Sequence, residues 1–333
     1  MTRASVLAGL GSWLPAQVVT NDDLGRELDT SDHWIRSRTG IGQRHIAEPG
    51  TATSDMAVEA GGRALKSAGR EQTDAVVLAT TTPDRICPAT APLVASRLGL
   101  APVPAFDVSA VCTGFLYALA TARGLIAAGT ADSVLVIGAD TYSSLLDPRD
   151  RSSRAIFGDG AGAVVLRLGS PDEPGALGPT VLASDGSGED LISVRSGGSR
   201  EPFRQETAAD ADPYFRMNGK SVFRNAVERM THSSRQVAEE SGWAVESIDR
   251  LVAHQANLRI LYAVADQLGL ERERCPIHLD RVGNTAAASL PLALADAVNE
   301  RRLLPGHRTV LTAFGGGLTW GAAALTWPDV QPA

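Results

Sequence analysis

Short runs of aliphatic and β-branched residues alternate along this chain with longer stretches rich in Ala and Leu. Asp74 to Thr80, Ala105 to Ser109, Ser133 to Gly138 and Ala161 to Leu168 are apolar for four to eight residues and are bounded by turn-forming positions, which predicts strands. Between them, Asp55 to Ala68, Pro88 to Leu98 and Phe115 to Ala128 carry the 3.6-residue rhythm or the near-continuous apolarity of packed helices. The strands are apolar on both faces, so the alternation predicts a buried, mostly parallel sheet in an α/β fold. Val222 to Glu240 and Leu258 to Leu268 read as helices in the second half, with Leu251 to His254 as a strand end and Thr309 to Ala313 and Ala322 to Thr326 as closing strands. The order of elements suggests a duplicated α/β unit.

The organisation this implies is an N-terminal half over 1–170, a connecting excursion over 171–216 and a C-terminal half over 217–333. Within the excursion, Leu182 to Arg216 is rich in Gly, Ser, Asp and Glu, and Gly197-Gly198-Ser199-Arg200-Glu201-Pro202 is strongly turn-forming. A long loop in a compact chain is more often functional than idle, so it is expected near the entrance of a site, with a disordered connector as the alternative. The start of the chain, Met1 to Pro15, is interrupted by Gly9 and Gly11 and reads as a strand and turn rather than a signal peptide.

Composition narrows the function. A net charge of −7 lacks the basic footprint of nucleic-acid binding. No uncharged apolar run reaches the roughly 18 residues that a membrane span needs. Three cysteines, at 87, 112 and 275, give no disulfide framework and fit a reducing cytoplasm. Cys275 and His278 lack a second pair at zinc spacing, so no metal is expected. Gly158-Asp159-Gly160-Ala161-Gly162 lacks the spacing and the strand-to-helix context of a dinucleotide site.

The chemistry concentrates in three places. Cys112 follows the strand-like Phe106-Asp107-Val108 and precedes the apolar helix from Phe115, which puts a thiol at a helix N-terminus, where the macrodipole and free N–H groups favour thiolate. A covalent nucleophile fits that position, and an inert core cysteine is the alternative. His254-Gln255-Ala256-Asn257 follows a strand, and Gly283-Asn284-Thr285 precedes another apolar helix. Element ends of this kind commonly converge on one pocket.

Taken with Asp32 to Ile41, Phe157 to Ala163 and Phe314 to Gly317, in that order, these stretches resemble β-ketoacyl-acyl-carrier-protein synthase III, condensing enzymes of the thiolase fold, over essentially the whole length. The resemblance implies a pseudo-duplicated five-layer α-β-α-β-α core. It implies Cys112, His254 and Asn284 as the catalytic set, and the N–H groups of Cys112 and Gly316 as the oxyanion hole. Trp34 and Arg151 would sandwich the adenine of CoA, with Arg38, Lys220 and Asn257 along the CoA and pantetheine path; Lys220 stands where an amide is expected. Phe314 and Cys87 would shape the acyl pocket, Cys87 from across a homodimer interface, where acetyl-restricted relatives carry a bulky aromatic.

Arg224 and Arg259, with Arg36, Arg38, Arg151 and Arg154, would form the basic tunnel mouth that an acidic acyl carrier protein needs on an otherwise acidic surface. The implied substrates are acyl-CoA and a malonyl-acyl carrier protein, with no cofactor. The chain looks like the branch that primes aromatic polyketide assembly; fatty-acid initiation, or acyl transfer without condensation, are the alternatives.

Overall fold

The structure is a computed structural model and describes residues 3–100, 102–203 and 211–333. In chain order the first half contributes β1 (Ala4–Trp13), the paired strands β2 (Gln17–Thr20) and β3 (Gln43–Ile46) with helices α1 (Asn21–Glu27) and α2 (Asp32–Thr39) between them, then α3 (Thr53–Ser67), β4 (Ala75–Ala79), α4 (Ala91–Arg97), β5 (Ala105–Val108), α5 (Gly114–Ala127), β6 (Ser133–Asp140), α6 (Arg151–Arg154) and β7 (Gly160–Gly169). There follow β8 (Leu177–Ser184), β9 (Ile192–Val194), β10 (Phe215–Met217), α7 (Gly219–Glu240), β11 (Arg250–Ala253), α8 (Leu258–Leu268), α9 (Leu279–Val282), α10 (Ser289–Asn299), β12 (Arg308–Gly315) and β13 (Thr319–Thr326).

Two sheets stack face to face with helices between and outside them. The first has strand order β1-β7-β6-β4-β5 and the second β11-β12-β13-β8. Every residue of β4 and β6 is buried, because helices cover both faces of that sheet. Helices α5 and α10 fill the space between the sheets, where Phe115, Leu119, Leu290 and Leu294 pack against Val136, Val164 and Leu311. Outside the first sheet lies α3, whose Met56, Ala60 and Ala64 meet Val76, Leu135 and Val165. Outside the second lie α7 and α8, with Val227, Val237, Leu261 and Val264 on Val310 and Ala322. This is the five-layer, thiolase-like core. The central layer sits so close to the first sheet that a Cβ on Gly138 would fall 2.3 Å from the Ala287 carbonyl oxygen, so only glycine fits there.

Three expectations are corrected. The sheets are mixed rather than mostly parallel: β4 runs parallel to β5 and β6, and β11 to β12, but β1–β7, β6–β7, β12–β13 and β13–β8 are antiparallel. The tight turn between Gly315 and Thr319 leaves no crossover and forces antiparallel pairing there. Helix α4 starts at Ala91, not Pro88, because the Asp107 carboxylate accepts from Thr90 N and Ala91 N, each at 2.7 Å, and caps the helix from another strand. The range 171–216 is not only a connection: it supplies β8, one of the two edge strands of the second sheet, and the β9–β10 pair. Residues 204–210 of that range, like Met1 and Thr2, lie outside the described residues. Among the described residues, no helix is long and apolar enough to cross a membrane.

Candidate active site

The nucleophile position is made by backbone before side chain. After β5 the chain turns through Val111 at φ 47° into a single 3₁₀ turn, Val111–Thr113, and then into α5. A β-branched residue at positive φ is strained, and here the strain aims the next residue, Cys112, at the end of the central helix. Thr319 locks the turn: its Oγ1 donates to the Ala110 carbonyl at 3.2 Å, and Thr113 Oγ1 donates to the Thr319 carbonyl at 3.1 Å. Gly315 lies against the same turn so closely that a Cβ there would be 2.9 Å from Cys112 N. Gly316, next to it, approaches Val111 and Ile192. The two N–H groups expected as an oxyanion hole thus belong to segments in direct contact.

His254 follows β11, and its N–H donates to the Thr312 carbonyl at 2.8 Å, which continues the pairing with β12. The ring is buried, and Nδ1 has no hydrogen-bond partner among the described residues. Burial drives its pKa down to about 3, so the imidazole is neutral throughout the physiological range. Asn284 is fixed on both sides by backbone: its N–H donates to Ile156 O at 2.8 Å, and its carbonyl accepts from Gly158 N at 3.0 Å. Its side-chain Oδ1 accepts from Ala286 N at 2.9 Å, which leaves the carboxamide NH2 as the group with donors to spare.

Cys112, His254, Asn284 and Phe314 line one cavity. Its apolar wall is an aromatic trio that the sequence reading did not single out: Tyr142 stacks on Phe157 at 4.4 Å between ring centroids, and Phe215 meets Phe157 edge-on at 4.9 Å. Phe215 and the lining residues Ile192 and Met217 come from β9 and β10, so part of the excursion is a wall of the site. The alternation Phe215-Arg216-Met217 was the available signal.

Thiolate is not the resting form. Burial first, and the charge of Asp140 second, push the Cys112 thiol well above its usual range, against the expectation from the helix N-terminus. Asp140, buried at the end of β6, accepts from Thr81 N at 2.7 Å and Ala287 N at 2.9 Å, and burial pushes its own pKa up to about 6. The resting site therefore holds a neutral thiol and a neutral imidazole.

Proteins of known family are similar to this chain in sequence and in structure. Two models of the 3-oxoacyl-[acyl-carrier-protein] synthase III family match, one over residues 106–186 and its C-terminal counterpart over residues 238–327. A β-ketoacyl-[acyl-carrier-protein] synthase III of Streptomyces coelicolor is 62% identical over 334 residues, covering 100% of both chains. The chain belongs to the β-ketoacyl-acyl-carrier-protein synthase III family. The crystal structure of a 3-oxoacyl-(acyl carrier protein) synthase III from Pseudomonas aeruginosa superposes with a TM-score of 0.93 at 53% identity, covering 99% of this chain and 100% of the other. The priming β-ketosynthase of the R1128 polyketide biosynthetic pathway superposes at 0.91 with 34% identity over 98% of this chain and 97% of the other. These relatives are condensing, acyl-transferring enzymes, and the chain is one of their class.

In this synthase III the second cleft is continuous with the first. Phe157, Met217, Val222, Ala256, Ile260 and Asn284 line both, and Trp34, Arg38 and Asn257 line the outer part. Two guanidinium groups lie within cation–π range of the Trp34 ring, Arg38 at 4.5 Å and Arg151 at 5.1 Å from its centroid. Asn257 faces the cleft, but its side chain is already engaged: Nδ2 donates to Arg38 O at 3.0 Å and Oδ1 accepts from Arg259 N at 2.9 Å, capping α8.

Lys220 and Arg224 are exposed on the first turns of α7, beside the lining residues Gly219 and Phe223. Arg259 donates to Ser37 O at 2.9 Å. Arg36, Arg151 and Arg154 are neutralised by Asp32, Asp29 and Glu27 at 2.7, 3.0 and 2.8 Å. Among the described residues, Arg38, Arg224 and Arg259 have no acidic partner, so the expected six-arginine patch reduces to three free charges. Cys87 is exposed and lies outside the lining of this chain's own cavity.

Asp159 in the glycine-rich stretch is consumed by structure. Its carboxylate accepts from Ala47 N and Ser143 N, each at 2.8 Å.

Proposed function

We propose that the chain initiates acyl-chain assembly in two half-reactions. Cys112 Sγ attacks the thioester carbonyl of an acyl-CoA; the C–S bond to CoA breaks, and the thiol proton ends on the departing CoA sulfur. Because the resting thiol is neutral, the proton leaves as the new bond forms rather than beforehand. The N–H groups of Cys112 and Gly316 receive the negative oxygen of the tetrahedral intermediate. Malonyl-acyl carrier protein then loses CO2, and the resulting enolate carbon attacks the acyl-Cys112 carbonyl. The C–S bond to Cys112 breaks as the new C–C bond is made, the released Cys112 sulfur takes one proton from solvent, and the products are β-ketoacyl-acyl carrier protein, CO2 and the free Cys112 thiol.

The observation that carries this reading is that one cavity holds Cys112, His254 and Asn284 together. An enolate oxygen needs neutral donors. Among the described residues the Asn284 NH2 has its donors free, and a histidine with a pKa near 3 supplies an N–H without titrating. Acyl transfer without condensation would leave Asn284 with nothing to stabilise. No step calls for a resident cofactor or metal.

Trp34 and Arg38, with Asn257 in the cleft lining and the exposed Lys220 beside it, suit the adenine and pantetheine of CoA. Arg224 and Arg259 suit an acidic carrier protein at the same mouth. Ile86, next to Cys87, is 92% exposed and Leu93, on the following helix α4, is 48% exposed, which supports a homodimer that carries Cys87 to the partner's acyl pocket. A small thiol there deepens that pocket. With the likeness to a priming ketosynthase this favours polyketide priming over fatty-acid initiation. Reduced cysteines and the absence of any long apolar helix among the described residues suit a cytoplasmic enzyme.

Supplying acyl-CoA and malonyl-carrier protein to the enzyme tests the proposal. A β-ketoacyl product two carbons longer than the primer, released with one CO2, is the expected result. Acyl-carrier protein formed without CO2 would overturn it.

A further inference from the structure

The segment that carries Asn284 and the segment after β11 that carries His254 are separate pieces of chain, and condensation requires both donors to meet one oxygen. One side chain joins them. Gln255 follows His254 and is 1% exposed. Its Oε1 accepts from His278 N at 2.9 Å and from Leu279 N at 3.2 Å. Its Nε2 donates to Ala253 O at 2.9 Å and to Pro276 O at 3.2 Å. All four hydrogen-bonding positions of the carboxamide are therefore used. In addition, the Gln255 backbone N–H donates to Ser289 Oγ at 2.7 Å.

These partners bracket Asn284 in the chain. His278 and Leu279 precede it at the start of α9, and Ser289 follows it at the start of α10. Ala253, the remaining Nε2 partner with Pro276, is the last residue of β11. We infer that Gln255 is a positioning residue for the second half-reaction: it sets the distance between the His254 ring and the Asn284 carboxamide by pinning both ends of the Asn284 segment to the residue after His254. Cys112 has no bond to this clamp; its turn is held by Thr113 and Thr319 instead. The inference rests on the reading of His254 and Asn284 as enolate donors. It predicts a division between the half-reactions that damage to the fold in general would not produce.

The test uses the full-length enzyme with Gln255→Met, which fills the space without polar atoms, and Ser289→Ala, which removes only the outer tie. Two rates are measured separately: acylation of Cys112 by acyl-CoA, followed by intact mass, and CO2 release from malonyl-carrier protein by enzyme already acylated. The expected result for Gln255→Met is acylation within about threefold of wild type. CO2 release should fall roughly 10- to 100-fold in kcat, because a misplacement of an ångström at reacting groups has that effect, with KM for the carrier substrate unchanged. Ser289→Ala should show the same division with a smaller factor, and it decides the question if Gln255→Met does not fold. Equal losses in both half-reactions, or no loss in either, would overturn the clamp. A wild-type enzyme that acylates but releases no CO2 would instead overturn the condensation reading itself.

Discussion

The molecule contains the same backbone turn twice, and only one copy carries a reactive group. In the first half Val111 at φ 47° opens the 3₁₀ turn Val111–Thr113 before α5; in the second, Ala286, also at φ 47°, opens Ala286–Ala288 before α10. The residue after the positive φ is Cys112 in one and Ala287 in the other. Cys112 faces the cavity, whereas Ala287 gives its N–H to the buried Asp140 carboxylate and Ala286 gives its own to Asn284 Oδ1. Duplication thus supplied two strained turns at the facing ends of two central helices. One became the attacking site and the other a bracket that orients Asn284. The stricter strain, on a β-branched residue at a cost of about 1–3 kcal/mol, is kept where the nucleophile sits.

The sharpest way to break this comparison is to move the thiol. Cys112→Ala should reduce covalent loading from acyl-CoA by about 10⁴-fold or more, and adding Ala287→Cys should not restore it. Both are read as the mass increment of the enzyme; loading of the double variant would show that the turn alone, without the cavity, makes the nucleophile. Next in size, Asn284→Ala should load normally and lose about 10²-fold or more in condensation, measured as CO2 release. An undiminished rate would leave the second turn with no part in the chemistry.

Much of this was legible in the sequence, and the exceptions have a common cause. Helix α8 runs over Leu258 to Leu268 as its rhythm predicted, because Asn257 caps it locally and Gly269 ends it at positive φ. The strands β4, β6 and β7 were visible because burial on both faces leaves their central residues, 75–79, 134–137 and 161–166, apolar. What was hidden depended on distant partners. Pro179 and Gly178 disguise β8, which tolerates them because it is an edge strand. Asp140 and Gln255 are polar residues most of whose partners lie more than 20 residues away in the chain, so no local pattern marks them. The thiol was misjudged because its helix terminus is local and readable, whereas the burial that outweighs it comes from the assembled aromatic wall.

Titration sharpens the contrast further. Folded His254 has a pKa of about 3 against about 6.5 when unfolded, so below pH 6.5 the unfolded chain takes up a proton that the folded one refuses, and stability is lost as pH falls towards 3. His254→Asn removes that loss. The stability difference between wild type and variant should shift by about 2 kcal/mol in favour of the variant between pH 7 and 5, measured by urea unfolding. A constant difference would mean that the ring is charged or solvated.

The smallest effect concerns the contact between the turns. Asp140→Asn removes a charge that holds the Cys112 thiol up, so alkylation of Cys112 at fixed pH should quicken by about three- to tenfold. An unchanged rate would mean that the Asp140 charge does not act on the Cys112 thiol.

The central claim is that Cys112 becomes acylated in the same cavity in which Asn284 then acts. Peptide mapping of Asn284→Ala after incubation with acyl-CoA, followed by a chase with malonyl-carrier protein, tests it most directly. The account predicts a stable acyl group on the Cys112 peptide that survives the chase in the variant and is discharged with CO2 in the wild type. An acyl group mapped to any other residue, or discharged equally by both enzymes, would contradict it.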